Sequence, residues 1–386
     1  MKRIASILTI LSLALSIFPQ NDSTALAAAT AEDNSGAVLC SPGAYLESPD
    51  DCVPLGPSQY LTDMARLGLE LPLLPLNASH PDAALSDLPY KYYKVNKTGT
   101  AFYPSLEAAR AKSGASQSLP PGAFFYVVYT ERLDTEKGTY FLMPGGTYMP
   151  GDGSTVTVNT PLPGVEVHAT PRKAFGWVFN ATPVRKEPNE FGFNLPVGEK
   201  KMYDMVQIYA TENVEGTMWN LIGPDEWVVA RDVAVVTPNS TPPAGVTNGR
   251  WIDVDLAEQT LAVYDGGQMV YATLMASGME PLYTRPGLFP IYKKLELETM
   301  EGERGTENFY HLENVPWTMY FDKARALHGA YWRARLGYPQ SHGCVNLFPG
   351  DAHWLFNWAK EGDAVYVHDP SGLTPTDPSF YGDGGA

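Results

Sequence analysis

"RWIDVDLAEQTLAVYDGGQMVYATLMASG" (residues 250–278) decides the fold. Its apolar and polar residues alternate with a period of two, the pattern of half-buried strands rather than of a helix. Two strands are predicted, Trp251 to Asp255 and Gln259 to Tyr264, followed by a turn at Gly266 and Gly267 and a third strand. Just upstream, "TPNSTPPAG" (237–245) has three prolines and small polar residues, which leave nothing to pack, so 237–246 reads as a linker and a new domain begins after it. Downstream, Asp351 is expected to cap a helix bearing Trp354, Leu355 and Trp358, and "DAVYVH" (363–368) to supply a last strand. The unit at 247–370 is thus mostly antiparallel β with one or two helices, expected to fold by itself, and 371–386 is read as a flexible tail.

The chain ahead of the linker is also β-like. "FFYVVYT" (124–130), "GTYFL" (138–142), "MVQIYAT" (205–211) and "EWVVARDVAVV" (226–236) are separated by Gly, Pro and Asn turns. "VNKTGTAFYP" (95–104) lines up with "FNATPVRKEP" (179–188), and "GTYFLMPGG" with "GTMWNLIGP". An offset of roughly 75 to 85 residues predicts two related β modules, at 89–160 and 161–236. They resemble the SH3-like modules often attached to bacterial wall enzymes. Residues 30–88 form a lead-in in which Ser58 is expected to cap a helix that Gly68 ends.

Met1, Lys2 and Arg3, an apolar run from Ile4 to Pro19 and small residues from Thr24 to Ala29 make up the three regions of a bacterial-type signal peptide over 1–29. Export to the envelope, periplasm or exterior follows, with no stable membrane insertion expected. A net charge of -16 repels phosphate backbones and anionic lipid, which argues against nucleic-acid and membrane-surface partners.

Of the three cysteines, Cys40 and Cys52 flank a turn-rich loop that a disulfide can close, leaving Cys344. Cys344 lies in "SHGCVN" (341–346), two residues after His342, which in a strand puts both side chains on one face. A catalytic thiol needs a base, a presented sulfur and backbone N–H groups for an oxyanion. Gly343 permits a sharp turn beside the sulfur. His328 in "ALHGAYW" is the other nearby imidazole, with a carbonyl at Gly329 in place to orient it. A zinc site would need a fourth ligand, and none stands at a recognisable spacing, so no metal or other cofactor is called for.

Thr284, Pro286 and Gly287 of "YTRPGLFPI", "VPWTMYF" (315–321), "LHGAYW" (327–332) and "SHGCVNL" (341–347) resemble, in that order, the L,D-transpeptidase catalytic-domain family of bacterial wall enzymes, over about 250–369. The resemblance implies a mainly β chain with a C-terminal β-sandwich. It implies Cys344 as acyl-accepting nucleophile, His328 as base and the Gly329 carbonyl as support of that ring. Ser341, His342 and Gly343 shape the site and supply oxyanion donors, and Tyr320, Trp332 and Asn346 line the substrate groove. The implied partners are peptidoglycan stem peptides as donor and acceptor, with carbapenem β-lactams as inhibitors. Two alternatives stay open: a carboxypeptidase that uses water as acceptor, and a non-catalytic wall-binding protein. The chain departs from the family at Lys323 and Arg325, where a glycine-rich stretch is common, and in a slightly short span from His328 to Ser341.

Overall fold

The glycine pair turns the chain as the pattern requires. Gly266 and Gly267 have φ of 58° and 78° between strands Thr260–Asp265 and Gln268–Leu274, a two-residue connection that L side chains rarely tolerate at both positions. A computed structural model of the chain describes residues 61, 64–67, 69, 73–95, 100–120, 124–151, 155–156, 161–190, 194–302, 305 and 309–382. The signal peptide, the pairing of Cys40 with Cys52 and most of the helix expected after Ser58 lie outside the described residues. Among those described, no helix is long and apolar enough to cross a membrane.

Two sheets face each other across the main core. One runs Ala78–Ser79, Val165–Val167, Gln268–Leu274, Thr260–Asp265, Trp251–Asp255, Ala364–His368, Gly287–Pro290. The other runs Lys91–Val95, Phe124–Tyr129, Tyr310–Asp322, Arg325–Gly329, Val345–Leu347, with Lys293–Gly302 also paired to the long strand Tyr310–Asp322. Ile252, Val254, Leu261 and Val263 of the first sheet meet Met319, Phe321, Leu327, Val345 and Leu347 of the second, and Ala352 and Leu355 of helix Pro349–Trp358 join them. This is a β-sandwich with one packed helix.

The region before the linker repeats itself in three dimensions. Strands Lys91–Val95, Thr100–Phe102, Gln117–Leu119, Phe124–Tyr129, Glu131–Thr135, Gly138–Leu142 and Tyr148–Gly151 recur in order as Ala174–Val178, Thr182–Val184, Gly198–Lys200, Met205–Ile208, Ala210–Val214, Thr217–Gly223 and Glu226–Val229. In both copies the first strand pairs with the fourth, the second with the third, and the last three form a meander.

The copies dock on the sandwich in different ways. The second lays Phe175, Trp177, Ala234 and Val236 against Trp251, Ala262, Tyr264 and Leu274, on the outer face of the first sheet. The first copy is joined to the second sheet through backbone: Phe124, Phe125 and Tyr126 run parallel to Tyr310, His311 and Leu312. "FFYVVY" is apolar without interruption because that strand is covered on both sides, Phe125 and Val127 within its own module and Tyr126 and Val128 against the sandwich. Tyr92, fully buried, stacks on Tyr331 at 3.7 Å between ring centroids and donates its hydroxyl to the Asn314 carbonyl. Such a pair is worth about 0.5–1.5 kcal/mol beyond the area it buries. The C-terminal unit is therefore not closed on itself, since both of its sheets are extended by strands from before the linker.

Asp351 departs from its expected role. The helix starts at Pro349, with Phe348 as its cap residue and no side-chain capping bond. Asp351 sits inside the first turn, fully buried, where its Oδ1 accepts from the Tyr271 hydroxyl (2.7 Å) and the Gly164 N–H (3.1 Å). It ties Gly164, just ahead of the second copy, to the first sheet and the helix at one point. Burial pushes its carboxyl up to about 7, against hydrogen bonds from Tyr271, Thr273 and Gly164 that pull it down. The folded state thus holds this proton more tightly than the unfolded chain. Its contribution to stability is full below about 4, the ordinary Asp range, shrinks as pH rises and is lost above about 7. Asp351→Asn is expected to flatten that part of the fall in melting temperature, measured by calorimetry across this range. An unchanged slope would assign it to other groups.

Candidate active site

Strands Arg325–Gly329 and Val345–Leu347 run side by side in parallel, with Leu327 opposite Val345, His328 opposite Asn346 and Gly329 opposite Leu347. Leu327, Val345 and Leu347 point into the sandwich core. The period of two sends His328, Asn346 and Cys344 to the opposite face, where they line one slot. Cys344 is 4% exposed and His328 2%.

The cysteine ends a bend rather than sitting within a strand. Residues 342–344 precede the strand that starts at Val345, and Gly343 has φ of 118°, a conformation open to glycine. Strand alternation therefore does not relate His342 to the cysteine, as the spacing alone suggested, yet both line the same slot. Its ring stacks on Tyr310 at 4.9 Å. The bend is held from inside: Ser341 Oγ donates to the Cys344 carbonyl (2.5 Å) and accepts from the Gly343 N–H (3.1 Å). That N–H is engaged within the loop. From below, Thr284 Oγ1 donates to the Gly343 carbonyl and accepts from the Gly278 N–H, both at 2.9 Å. A side chain at Gly278 would strike the Leu282 carbonyl and come within 2.8 Å of Gly343 Cα, so these segments pack backbone on backbone.

His328 Nδ1 lies 3.3 Å from the Gly329 carbonyl. A carbonyl only accepts, so Nδ1 carries the proton and Nε2 keeps its lone pair for use as a base. Burial pushes this imidazole down to about 4, the Gly329 hydrogen bond opposes that, and the positive charge of Arg333 adds to the fall. Burial pushes the Cys344 thiol up to about 11, against the Ala326 N–H and the charge of Arg325. With these shifts both groups are neutral near pH 7 in this arrangement.

Ser341, His342, Phe124, Met300, Tyr310, Leu312, Trp332 and Arg333 complete the slot, which has a volume of about 30 Å³. Trp332 and Asn346, expected to line a groove, both line this slot. Tyr320 is not among the lining residues, although its hydroxyl is pushed up chiefly by burial and further by Cys344. Phe124, Tyr310 and Leu312 were missed, because nothing local shows that a strand of the first module reaches this site. Arg333 was within reach, as the one charged residue directly after Trp332 in the stretch between the two histidine motifs.

Lys323 and Arg325 belong to the sharp turn between the long strand and Arg325–Gly329, where Lys323 takes φ of 51°. Arg325 is buried, and its Nη1 reaches Asp322 Oδ2 at 3.0 Å while Asp322 also binds Arg285. No set of three or more His, Cys, Asp or Glu side chains among the described residues converges as a metal site.

Residues 249–367 match the family model of the L,D-transpeptidase catalytic domain. Among solved structures, the chain is similar to an L,D-transpeptidase from Stackebrandtia nassauensis at 29% identity, covering 33% of this chain and 58% of that one, with a TM-score of 0.27. The catalytic domain of the E. faecium L,D-transpeptidase is 27% identical over 32% of this chain and 100% of its own, with a TM-score of 0.29. LdtMt1, solved in complex with imipenem, is 16% identical over 53% and 90% of the two chains, with a TM-score of 0.30. The chain thus spans less than two thirds of the first of these structures. No curated protein sequence matches it.

The buried thiol sets an expectation for reactivity. Alkylation of Cys344 by iodoacetamide should quicken with pH up to about 11, as the thiolate fraction grows. Peptide mapping after timed labelling at several pH values measures this. A rate already level near neutrality would mean that the sulfur is a thiolate paired with a protonated imidazole.

Proposed function

We propose that this chain is an exported cysteine acyltransferase of the L,D-transpeptidase type, acting on peptidoglycan stem peptides. The observation that carries the reading is the parallel strand pair that brings His328 and Cys344 to one slot, within the segment that matches the catalytic-domain model. Cys344 Sγ attacks the carbonyl before a terminal D-residue while His328 Nε2 takes the thiol proton. The same proton then passes to the departing amine, so that a D-amino acid leaves and the stem remains as a thioester. An amine from a second stem attacks that thioester, giving its proton back through His328, and the thiol is restored. One amide replaces another, which needs no ATP. The backbone N–H groups of His342 and Cys344 are the candidates for holding the oxyanion, since that of Gly343 is given to Ser341 Oγ.

A carbapenem offers a strained amide carbonyl beside a carboxylate and so mimics the donor. Intact mass spectrometry should show a single adduct on the wild-type protein that is absent in Cys344→Ala. Folded wild-type protein that stays unmodified over hours would favour a wall-binding protein without activity. Release of D-residue with no transfer to an amine would favour the carboxypeptidase.

His328→Ala should slow carbapenem acylation about a hundredfold or more, as loss of a positioned base usually does, and His342→Ala should cost less. The wild-type rate should fall only as pH drops through about 4, where His328 gains a proton. The reverse order of the two variants, in stopped-flow or mass-spectrometric rates, would move the base to His342.

A further inference from the structure

The mouth of the slot is built from half-buried Phe124, Trp332 and Arg333, outside the buried Cys344 and His328. Arg333 is unlike its neighbours. Arg250 pairs with Asp265 and Asp363, and Arg285 and Arg325 share Asp322. Arg333 has no carboxylate partner among the described residues. Its Nη2 donates to the Gln340 carbonyl at 2.5 Å, and its guanidinium lies 5.8 Å from the centre of the Phe124 ring. Its Nε is buried with no hydrogen-bond partner, and so is Nε1 of Trp332. In a chain with a net charge of -16, an unneutralised guanidinium lining the slot is placed to attract an anion. Two unused donors on adjacent residues, beside a positive charge and next to the nucleophile, match the needs of an anionic oxygen pair.

We infer that Arg333 and Trp332 form a carboxylate-recognition subsite at the mouth of the Cys344 slot, with Arg333 Nε and Trp332 Nε1 donating to a substrate carboxylate. The assignment rests on the donor reading above, in which the carboxylate belongs to the D-residue that leaves. Phe124, supplied by the first β module, backs the guanidinium and limits where it can point. Bound carboxylate also offsets the positive charge that disfavours a protonated His328, so the base strengthens when donor arrives. Arg333 thereby sets specificity and does not touch the reacting sulfur.

The test compares iodoacetate with iodoacetamide, reagents of similar size that differ in charge, as alkylating agents of Cys344 in the full chain. A short cysteine peptide gives the reference ratio of the two rates. The wild-type ratio should exceed the reference by about tenfold, a modest electrostatic enhancement. Arg333→Gln should bring it back to the reference while the iodoacetamide rate changes little, and Arg333→Lys should keep part of it. A wild-type ratio at or below the reference, or a ratio unaltered in Arg333→Gln, would overturn the proposal. Should Arg333→Gln not fold, the wild-type ratio and its decline with added salt decide the matter, since a ratio insensitive to salt rules out a charge-based subsite. Failure of the wall-enzyme reading shows separately, as a missing carbapenem adduct in a protein that still prefers iodoacetate.

Discussion

The parallel pairing of Arg325–Gly329 with Val345–Leu347 is the constraint on which the rest of the molecule depends. Each strand gives one face to the sandwich core, and Leu327, Val345 and Leu347 are fully buried there. A register slip of one residue would turn those side chains out and bring His328, Asn346 and Cys344 in. Core packing and site assembly are therefore one choice. The residues between the strands do less to position the thiol than the apolar side chains that alternate with it.

Because the site lies on the far face of the second sheet, something has to cover that face. The first β module does so with Tyr92, Tyr126 and Val128, set against Leu312, Val315, Ala326 and Tyr331. Cys344 packs in the same cluster, and burial shifts both the thiol and the imidazole toward their neutral forms. A preformed thiolate–imidazolium pair is the arrangement this burial disfavours. What remains is a thiol beside a lone pair whose tautomer the Gly329 carbonyl selects. Desolvation, rather than any single hydrogen bond, is what favours the neutral pair.

Charge is distributed with the same economy. Asp322 holds two arginines, Arg285 and Arg325, beneath the bend, and the Arg325 charge is felt at the Cys344 thiol. Thr284, Gly278 and Ser341 lock the backbone above it. Arg333, at the mouth of the slot, has no carboxylate partner among the described residues.

Much of this was legible in the chain itself. The alternating pattern from Trp251 onward, the Gly266–Gly267 turn, the offset between the two modules and the set of motifs around His328 and Cys344 are local or repetitive signals, and short-range backbone preferences are written residue by residue. The role of Asp351, the wall formed by Phe124 and the stacking of His342 on Tyr310 were decided by tertiary structure. In each case the deciding contact joins segments far apart in sequence: Asp351 with Gly164, Phe124 with Tyr310, Tyr310 with His342. Local pattern shows that a residue belongs on a buried face. Which distant strand buries it is settled only when the sheets pair and pack, because that choice depends on filling a shared core and not on the preferences of either segment alone.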